Sequence, residues 1–388
     1  LWYSWICENM PIFPHSGKHY TRDMFAFLCL VYLAASLATW VKQRDTSVLN
    51  RDQTEEWKGW MQFVFLLYHY YSAGEVYNSI RIMITCYVWM TGFGNFSFFY
   101  IKGDYSLVRV LQMLWRLNFL VIFLMLSQGT TYILYYICPL HTYFFLMVYF
   151  TMKIFRGANY KKYQIRLKLL FLAILIYLFW DLDSPVWKMV HFAFLSEKPV
   201  LGATGGSMWE WYFRTTLDHW STFFGMVFAL QYPIVSLWYR KLEAQPPHKE
   251  WLGKGIVGVV ILGGFVAWVI GPFQSPKLEY NSTNAYFGFV PLMTYIYFRN
   301  LTPTMREYSL DLLHQIGKTT LETYLMQHHI WLTSNAKSLL TLIPGWPRVN
   351  MLIVTAIYFF TSRRLYKLTL HLRGILLPND RSACLKHL

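Results

Sequence analysis

The chain alternates between long apolar stretches and short polar connections. A helix that crosses a membrane needs about 20 mostly apolar residues, and eleven stretches have roughly that character. They are residues 24–41, 58–74, 77–99, 107–127, 131–155, 167–183, 209–239, 253–271, 285–299, 312–334 and 349–363. This pattern predicts an all-α fold, a polytopic transmembrane bundle of about 11 helices.

No internal repeat, low-complexity tract or soluble domain interrupts this pattern. We therefore expect three parts: a lumenal N-terminal segment at 1–23, a multi-pass membrane domain at 24–378, and a C-terminal tail at 379–388. The chain starts at Leu1 without a recognisable signal peptide. We therefore expect that it begins inside a longer protein or has been trimmed.

Composition narrows the class of protein. Of the 388 residues 55% are hydrophobic and 14% are charged, whereas soluble domains carry about 25% charged residues. The 17 Trp, 29 Tyr and 30 Phe residues exclude intrinsic disorder. Five cysteines are too few for a disulfide scaffold of this length. A polytopic membrane protein, in contact with lipid, fits all of these values.

The net charge of +15 would suit a nucleic-acid-binding protein, so the position of the charges matters. Counted over alternate connections, one set carries 22 Lys and Arg residues and the opposite set carries 8. The positive-inside rule makes the first set cytoplasmic and places the N-terminus in the lumen. The sequon at Asn281 then falls on the lumenal side, where it is a candidate glycosylation site. Topology explains the charge, and no nucleic-acid partner is expected.

Ionisable groups inside a membrane are costly and therefore mark candidate functional sites. His69 follows Lys58 by eleven residues, about 16 Å along a helix, which places an imidazole near mid-membrane above a cytoplasmic cation. Arg109 and Arg116 are seven residues apart and share a helix face, an arrangement that suits a phosphate ligand. The structural alternatives are a histidine bonded to a neighbouring helix and an interhelical ion pair.

Two further stretches carry charge. Glu210, Arg214 and Asp218 are spaced four apart, which predicts a stripe of alternating charge on one helix face. The charged side chains of such a stripe can also pair with one another within the helix. In the tenth stretch Lys318, Glu322 and His329 share a face, from the cytoplasmic edge toward the lumen.

No metal site is expected. The adjacent residues His328 and His329 diverge by about 100° around a helix, and no further ligands stand at the spacing that zinc requires. No serine-nucleophile motif is present either. The residues therefore favour general-base chemistry.

Several long motifs resemble the capsule O-acetylation family of membrane acyltransferases, which includes fungal, plant reduced-wall-acetylation and animal sialate O-acetyltransferase members. They cover residues 51–62, 87–97, 115–119, 210–218 and 317–331, with His329 at the family's shared histidine. The resemblance extends from about residue 49 to 378. The chain is also distantly similar to the acyltransferase-three superfamily, in which a basic residue precedes a catalytic histidine by eleven positions. Lys58 and His69 keep that spacing, although the superfamily usually has Arg at the first position.

The resemblance implies transfer of acetyl from cytosolic acetyl-CoA to hydroxyls of a lumenal glycan by a multi-pass Golgi membrane enzyme. The acceptor would be a cell-wall or capsule polysaccharide or a sialoglycan. It also implies a lumenal SGNH-type domain ahead of the first helix in the full-length protein. The alternatives are a transporter that passes acetyl groups to a separate lumenal transferase, and a non-catalytic membrane anchor.

Placement and resemblance together suggest roles for individual residues. The expected donor-binding cations are Lys58, Arg109, Arg116 and Lys318. His69 would deprotonate the acceptor, and Arg116 or Arg214 would stabilise the oxyanion. Catalytic candidates that would orient the acceptor or relay protons are Glu210, Glu322 and His329.

Overall fold

The computed structural model describes residues 12–43, 45–182, 208–333 and 337–378, together with Trp2, Trp5, Ile6, Met10, Ser184, Val186 and Trp187. These residues form fifteen α-helices, which confirms the predicted all-α class. In chain order the helices are α1 Arg22–Leu37, α2 Arg51–Tyr71, α3 Tyr77–Lys102, α4 Leu107–Gln128, α5 Ile137–Lys153, α6 Lys162–Ile176, α7 Met208–Thr216, α8 Ser221–Glu243, α9 Pro247–Ile270, α10 Lys277–Phe287, α11 Phe289–Arg299, α12 Pro303–Glu307, α13 Asp311–Lys318, α14 Thr320–Met326 and α15 Pro347–Leu376.

Four short strands connect distant parts of the chain. β1 (His15–Ser16) pairs antiparallel with β4 (Leu339–Leu340), and β2 (Trp40–Lys42) pairs antiparallel with β3 (Tyr308–Leu310). Both pairs tie the N-terminal part of the chain to the region around α13 and α14. Their backbone hydrogen bonds hold that region close to α2.

Within the part of the chain that the structure describes, five helical segments are long and apolar enough to cross a membrane by themselves. They are Gly74–Lys102, Leu107–Gln128, Lys162–Asp181, Ser221–Glu243 and Pro247–Gln274. The most apolar of them, Pro247–Gln274, exposes Ile256, Val259 and Val260 on its outer surface. Lipid is the solvent that such a surface requires, so the fold is that of a multi-pass membrane bundle.

Two predicted stretches are broken in the structure. The stretch 209–239 divides into α7 and α8, because the chain leaves the helix at residues 217–220. There the Asp218 carboxylate accepts hydrogen bonds from Arg81 (2.6 Å) and Thr85 (2.7 Å) on α3. The predicted stripe therefore ends at Arg214, and Asp218 belongs to a separate buried cluster. The stretch 312–334 likewise divides into α13, α14 and a π-helix at Gln327–Trp331.

Two other predicted boundaries are wrong. Helix α2 begins seven residues earlier than expected, because Asn50 accepts a hydrogen bond from the Gln53 N–H and caps it (2.8 Å). Since α2 ends at Tyr71, His69 lies in its last turn and not at mid-length. The predicted lumenal connection 272–284 contains most of α10.

Glycine permits unusually close packing of α2 against α13. A Cβ atom on Gly59 would overlap the Leu313 carbonyl, and one on Gly317 would overlap the Glu55 carbonyl. The two backbones are therefore in direct contact, as small residues allow between membrane helices. This contact fixes the position of Lys58 on α2 relative to Lys318 on α13.

Candidate active site

A cavity of about 650 Å³ opens between α2, α3, α4, α5, α13, α14 and α15. Five cations line it: Arg51, Lys58, Arg116, Lys318 and Arg373. Helix α2 supplies Arg51 and Lys58, and the last turn of α15 supplies Arg373. So many cations along one apolar bundle point to an anionic ligand.

One face of α2 extends from this cation cluster to His69. Lys58, Gln62, Phe65 and His69 follow at intervals of four, three and four residues, so that they share a face. The first three line the cavity, whereas His69 lies beyond it. The Lys58 amino group contacts the Glu55 carboxylate at 2.7 Å, and this is an ion pair within one helix turn.

Arg116 and Glu322 form an ion pair between α4 and α14. Arg116 donates through both terminal nitrogens to the two carboxylate oxygens, one of these bonds being 3.0 Å long. The Glu322 side chain is 0% exposed, and that of Arg116 is 21% exposed. Arg116 therefore forms an ion pair between two helices, which was the structural alternative to phosphate binding in the sequence analysis. Both oxygens of Glu322 are occupied, and it does not line the cavity.

The other two predicted donor-binding cations, Lys318 and Arg109, lie in different surroundings. Lys318 lines the cavity and, among the described residues, has no hydrogen bond or ion pair. Arg109 is not part of the lining, and its guanidinium lies 4.0 Å from the centre of the Phe98 ring. Of the four predicted cations, the cavity thus gathers Lys58, Arg116 and Lys318.

The sequence analysis missed two of the cavity cations. Arg51 lies two turns before Lys58 on the same helix face, a spacing that could have identified it. Arg373 lies at the end of α15, more than three hundred residues after Arg51 and Lys58 in the sequence. No local sequence pattern connects it to the site.

The histidines of the π-helix point to different places. His328 is buried and faces His69, with ring centroids 6.0 Å apart. The Nε2 atom of His329 lies 2.6 Å from the hydroxyl of Tyr135. From the sequence His329 was the candidate of this pair, yet in the structure it is His328 and not His329 that contacts His69.

Lys18, from the segment before α1, contacts the end of α2. Its amino group donates to the His69 carbonyl oxygen at 2.7 Å, and burial lowers the pKa of Lys18 below its usual value. This bond satisfies one of the carbonyls that every helix leaves unpaired at its C-terminus. It also places a cation close to the histidine pair.

Two aromatic side chains separate the cavity from the histidine pair. Phe65 and Tyr324 both line the cavity. The ring of Phe65 packs 4.6 Å from His69, and that of Tyr324 packs 6.2 Å from His328. A ligand that fills the cavity is therefore separated from His69 and His328 by a single layer of aromatic side chains.

A further histidine lies inside the cavity. His141, on α5, lines it, and its Nδ1 atom lies 2.7 Å from the hydroxyl of Thr91 on α3. The rule that an ionisable group inside a membrane marks a candidate site would have selected His141, which stands in the predicted stretch 131–155. It was missed because it has no charged neighbour in sequence.

The remaining predicted residues lie apart from the cavity lining. Glu210 and Arg214 pair with each other at 2.8 Å on α7, and the Arg214 guanidinium lies 4.2 Å from the centre of the Tyr136 ring. Asn281 is on α10, half-buried, and its side-chain oxygen accepts a hydrogen bond from Tyr77 (2.9 Å). No group of metal-binding side chains occurs within the described ranges.

Comparison with known proteins finds a matching family and a curated relative. Residues 1–388 match the family described as the ten-transmembrane acyl transferase domain found in Cas1p. The chain is also 32% identical over 402 aligned positions to the N-acetylneuraminate (7)9-O-acetyltransferase of Danio rerio. That alignment covers all of this chain and 50% of the relative, so the chain spans about half the length of the curated relative. No solved structure gives a significant match.

Proposed function

Because the chain belongs to the family of ten-transmembrane acyl transferase domains found in Cas1p, we propose that it transfers acetyl groups from cytosolic acetyl-CoA to hydroxyls of a lumenal glycan. The observation that carries this proposal is the cavity, which has several cations along its lining and the His69–His328 pair just beyond Phe65 and Tyr324.

In this proposal the cations bind the phosphates of CoA. Arg51, Lys58, Lys318 and Arg373 line the cavity, and Glu55 is the one carboxylate in that lining. Charge-assisted hydrogen bonds to phosphate are stronger than those between neutral groups. The positions from Arg51 to Phe65 extend about 21 Å along α2, which gives an elongated donor a continuous surface. The acetyl group would then lie near Phe65.

The proposed reaction needs one proton acceptor. His69, in contact with His328, takes the proton of the acceptor hydroxyl while that oxygen attacks the acetyl carbonyl carbon. The carbon–sulfur bond then breaks, and CoA leaves as a thiolate that takes up the proton held by His69. Imidazole suits this role at neutral pH. Phe65 and Tyr324 must rotate for the acceptor to reach the thioester.

The other predicted residues receive supporting roles. We assign to Glu322 the positioning of Arg116, because its two oxygens are bound to that guanidinium. Glu210, Arg214 and His329 lie outside the cavity lining, so we assign them to the acceptor side.

For the cellular setting we propose a multi-pass Golgi protein with a lumenal N-terminus. The distribution of Lys and Arg between alternate connections supports this orientation. The relative is an N-acetylneuraminate (7)9-O-acetyltransferase about twice as long as this chain, so a further domain is part of the proposal. The proposed partner is a lumenal SGNH-type domain in the full-length protein.

A second function is an acetyl transporter or relay. The separation of the cation-lined cavity from His69 by two aromatic rings favours it, because a gate between two compartments would have that arrangement.

The test uses protein purified in detergent and acetyl-CoA labelled on the acetyl group. Free CoA and acetylated glycan are measured for the wild type, for His69→Ala, and for a control, His248→Ala, at an exposed position of α9. Transfer that is lost only in His69→Ala would support the enzyme and its base. Tight CoA binding without turnover in the wild type would favour the transporter, and full activity in His69→Ala would refute the assigned base.

A further inference from the structure

Apart from the Glu55 carboxylate, which pairs with Lys58, two polar groups in the cavity lining are buried and have no hydrogen-bond partner among the described residues. They are the side-chain nitrogen Nε2 of Gln62, which is 3% exposed, and the hydroxyl of Tyr324, which is 6% exposed. An unsatisfied buried polar group costs about 1–3 kcal/mol. Two such groups in one cavity therefore indicate that an atom of a bound ligand supplies the missing hydrogen-bond partner.

Both groups can donate a hydrogen bond. The Tyr87 hydroxyl donates to the Lys58 carbonyl oxygen at 2.9 Å and lies 3.5 Å from the Gln62 oxygen Oε1, whereas the Gln62 NH₂ group has no partner among the described residues. The Tyr324 hydroxyl has no hydrogen-bond partner in the described part of the chain, and a phenol hydroxyl can donate as well as accept. The hydroxyl proton of Tyr324 thus has no acceptor among the described residues.

The position of the two donors matches a reacting carbonyl. Gln62 lies on α2 between Lys58 and Phe65, and Tyr324 packs against Phe65 with ring centroids 6.1 Å apart. Both lie between the cations and the histidine pair, where the acetyl group of a bound donor would be. A thioester oxygen only accepts hydrogen bonds, which is the complement of two free donors.

We propose that Gln62 and Tyr324 form an oxyanion hole that donates two hydrogen bonds to the acetyl carbonyl oxygen. As the acceptor oxygen attacks, negative charge collects on the carbonyl oxygen and strengthens both bonds. When the carbonyl re-forms, the carbon–sulfur bond breaks and the negative charge leaves on the sulfur of CoA, and neither donor changes covalently. Arg116, expected from the sequence to serve here, directs both terminal nitrogens at Glu322. This inference rests on the proposed acetyl transfer.

The structure supplies matched controls. Tyr280 also has a fully buried hydroxyl without a partner, and Gln53 on α2 has a buried, unpartnered side-chain amide. Neither residue lines the cavity. The test therefore compares Tyr324→Phe with Tyr280→Phe, and Gln62→Leu with Gln53→Leu. Each variant is assayed with labelled acetyl-CoA for transfer and by thermal unfolding in detergent.

We expect Tyr324→Phe and Gln62→Leu each to lower kcat by about 10²–10³-fold, with an unchanged KM for acetyl-CoA. The bonds strengthen only in the transition state, so kcat and not KM carries the effect. The unfolding midpoint should not fall below the wild-type value, because the Tyr324 hydroxyl and the Gln62 NH₂ group have no hydrogen-bond partner among the described residues. Both control variants should keep wild-type kcat.

Other outcomes separate the two proposals. A wild type that neither releases CoA nor transfers acetyl would defeat the proposed function itself. An active wild type whose Tyr324→Phe and Gln62→Leu variants retain kcat would defeat the oxyanion hole alone. A raised KM at constant kcat would assign the two groups to ground-state binding and would also overturn it. A lowered unfolding midpoint would show that they have structural partners, against the premise.

Discussion

The Arg116–Glu322 pair should respond unequally to the loss of either partner. Removing one member of a buried ion pair costs about 3–5 kcal/mol, because the other charge remains without compensation. Glu322 is 0% exposed, whereas the Arg116 side chain is 21% exposed and faces the cavity. Arg116→Gln therefore leaves a charge that water cannot reach, and we expect a loss near 5 kcal/mol. Glu322→Gln leaves a charge that the cavity can hydrate, and we expect a loss near 3 kcal/mol.

The assay is reversible unfolding in mixed detergent, with the free energy of unfolding measured for each variant. Glu75→Gln serves as the control, since it breaks an exposed ion pair in which the side chain of Arg22 is 77% exposed and that of Glu75 is 54% exposed. The loss of unfolding free energy in this control should stay below about 1 kcal/mol. A double replacement, Arg116→Leu with Glu322→Leu, should recover most of the stability. The reasoning fails if Glu322→Gln costs more than Arg116→Gln. It also fails if Glu322→Gln abolishes transfer at wild-type stability, which would make Glu322 a catalytic group.

Three further predictions concern packing, donor binding and topology. Gly92→Ala places a Cβ against the Thr222 carbonyl and should lower the free energy of unfolding by about 1–3 kcal/mol or more, whereas Gly94→Ala on the same helix, with no atom within 4 Å, should leave it unchanged or raised. Lys318→Ala should raise KM for acetyl-CoA about tenfold at constant kcat, as the loss of one charge-assisted hydrogen bond predicts; an unchanged KM would remove Lys318 from the donor site. Asn281→Gln should abolish a glycosidase-sensitive shift in gel mobility of protein made in eukaryotic membranes, and a wild type without that shift would contradict the lumenal placement.

The sequence identified the face of α2 correctly because helical periodicity is a local property. Lys58 and His69 share a face at any helix start, so the early beginning of α2 at Arg51 moved His69 into the last turn without changing that relation. Helix ends are harder to predict. The break at residues 217–220 accompanies the bonds of Asp218 to Arg81 and Thr85 on another helix, and no local pattern contains that information.

The sequence by itself determined that this protein is a helical membrane bundle with cations concentrated on alternate connections. Apolar length, charge asymmetry and helical period are properties of short segments, and each can be read from neighbouring residues. Only the tertiary structure decided which side chains meet, as Arg116 does with Glu322 and His69 with His328. It also decided that Gln62 and Tyr324 line one cavity. These meetings depend on which helices pack together and how closely, and that is fixed by contacts between segments up to three hundred residues apart.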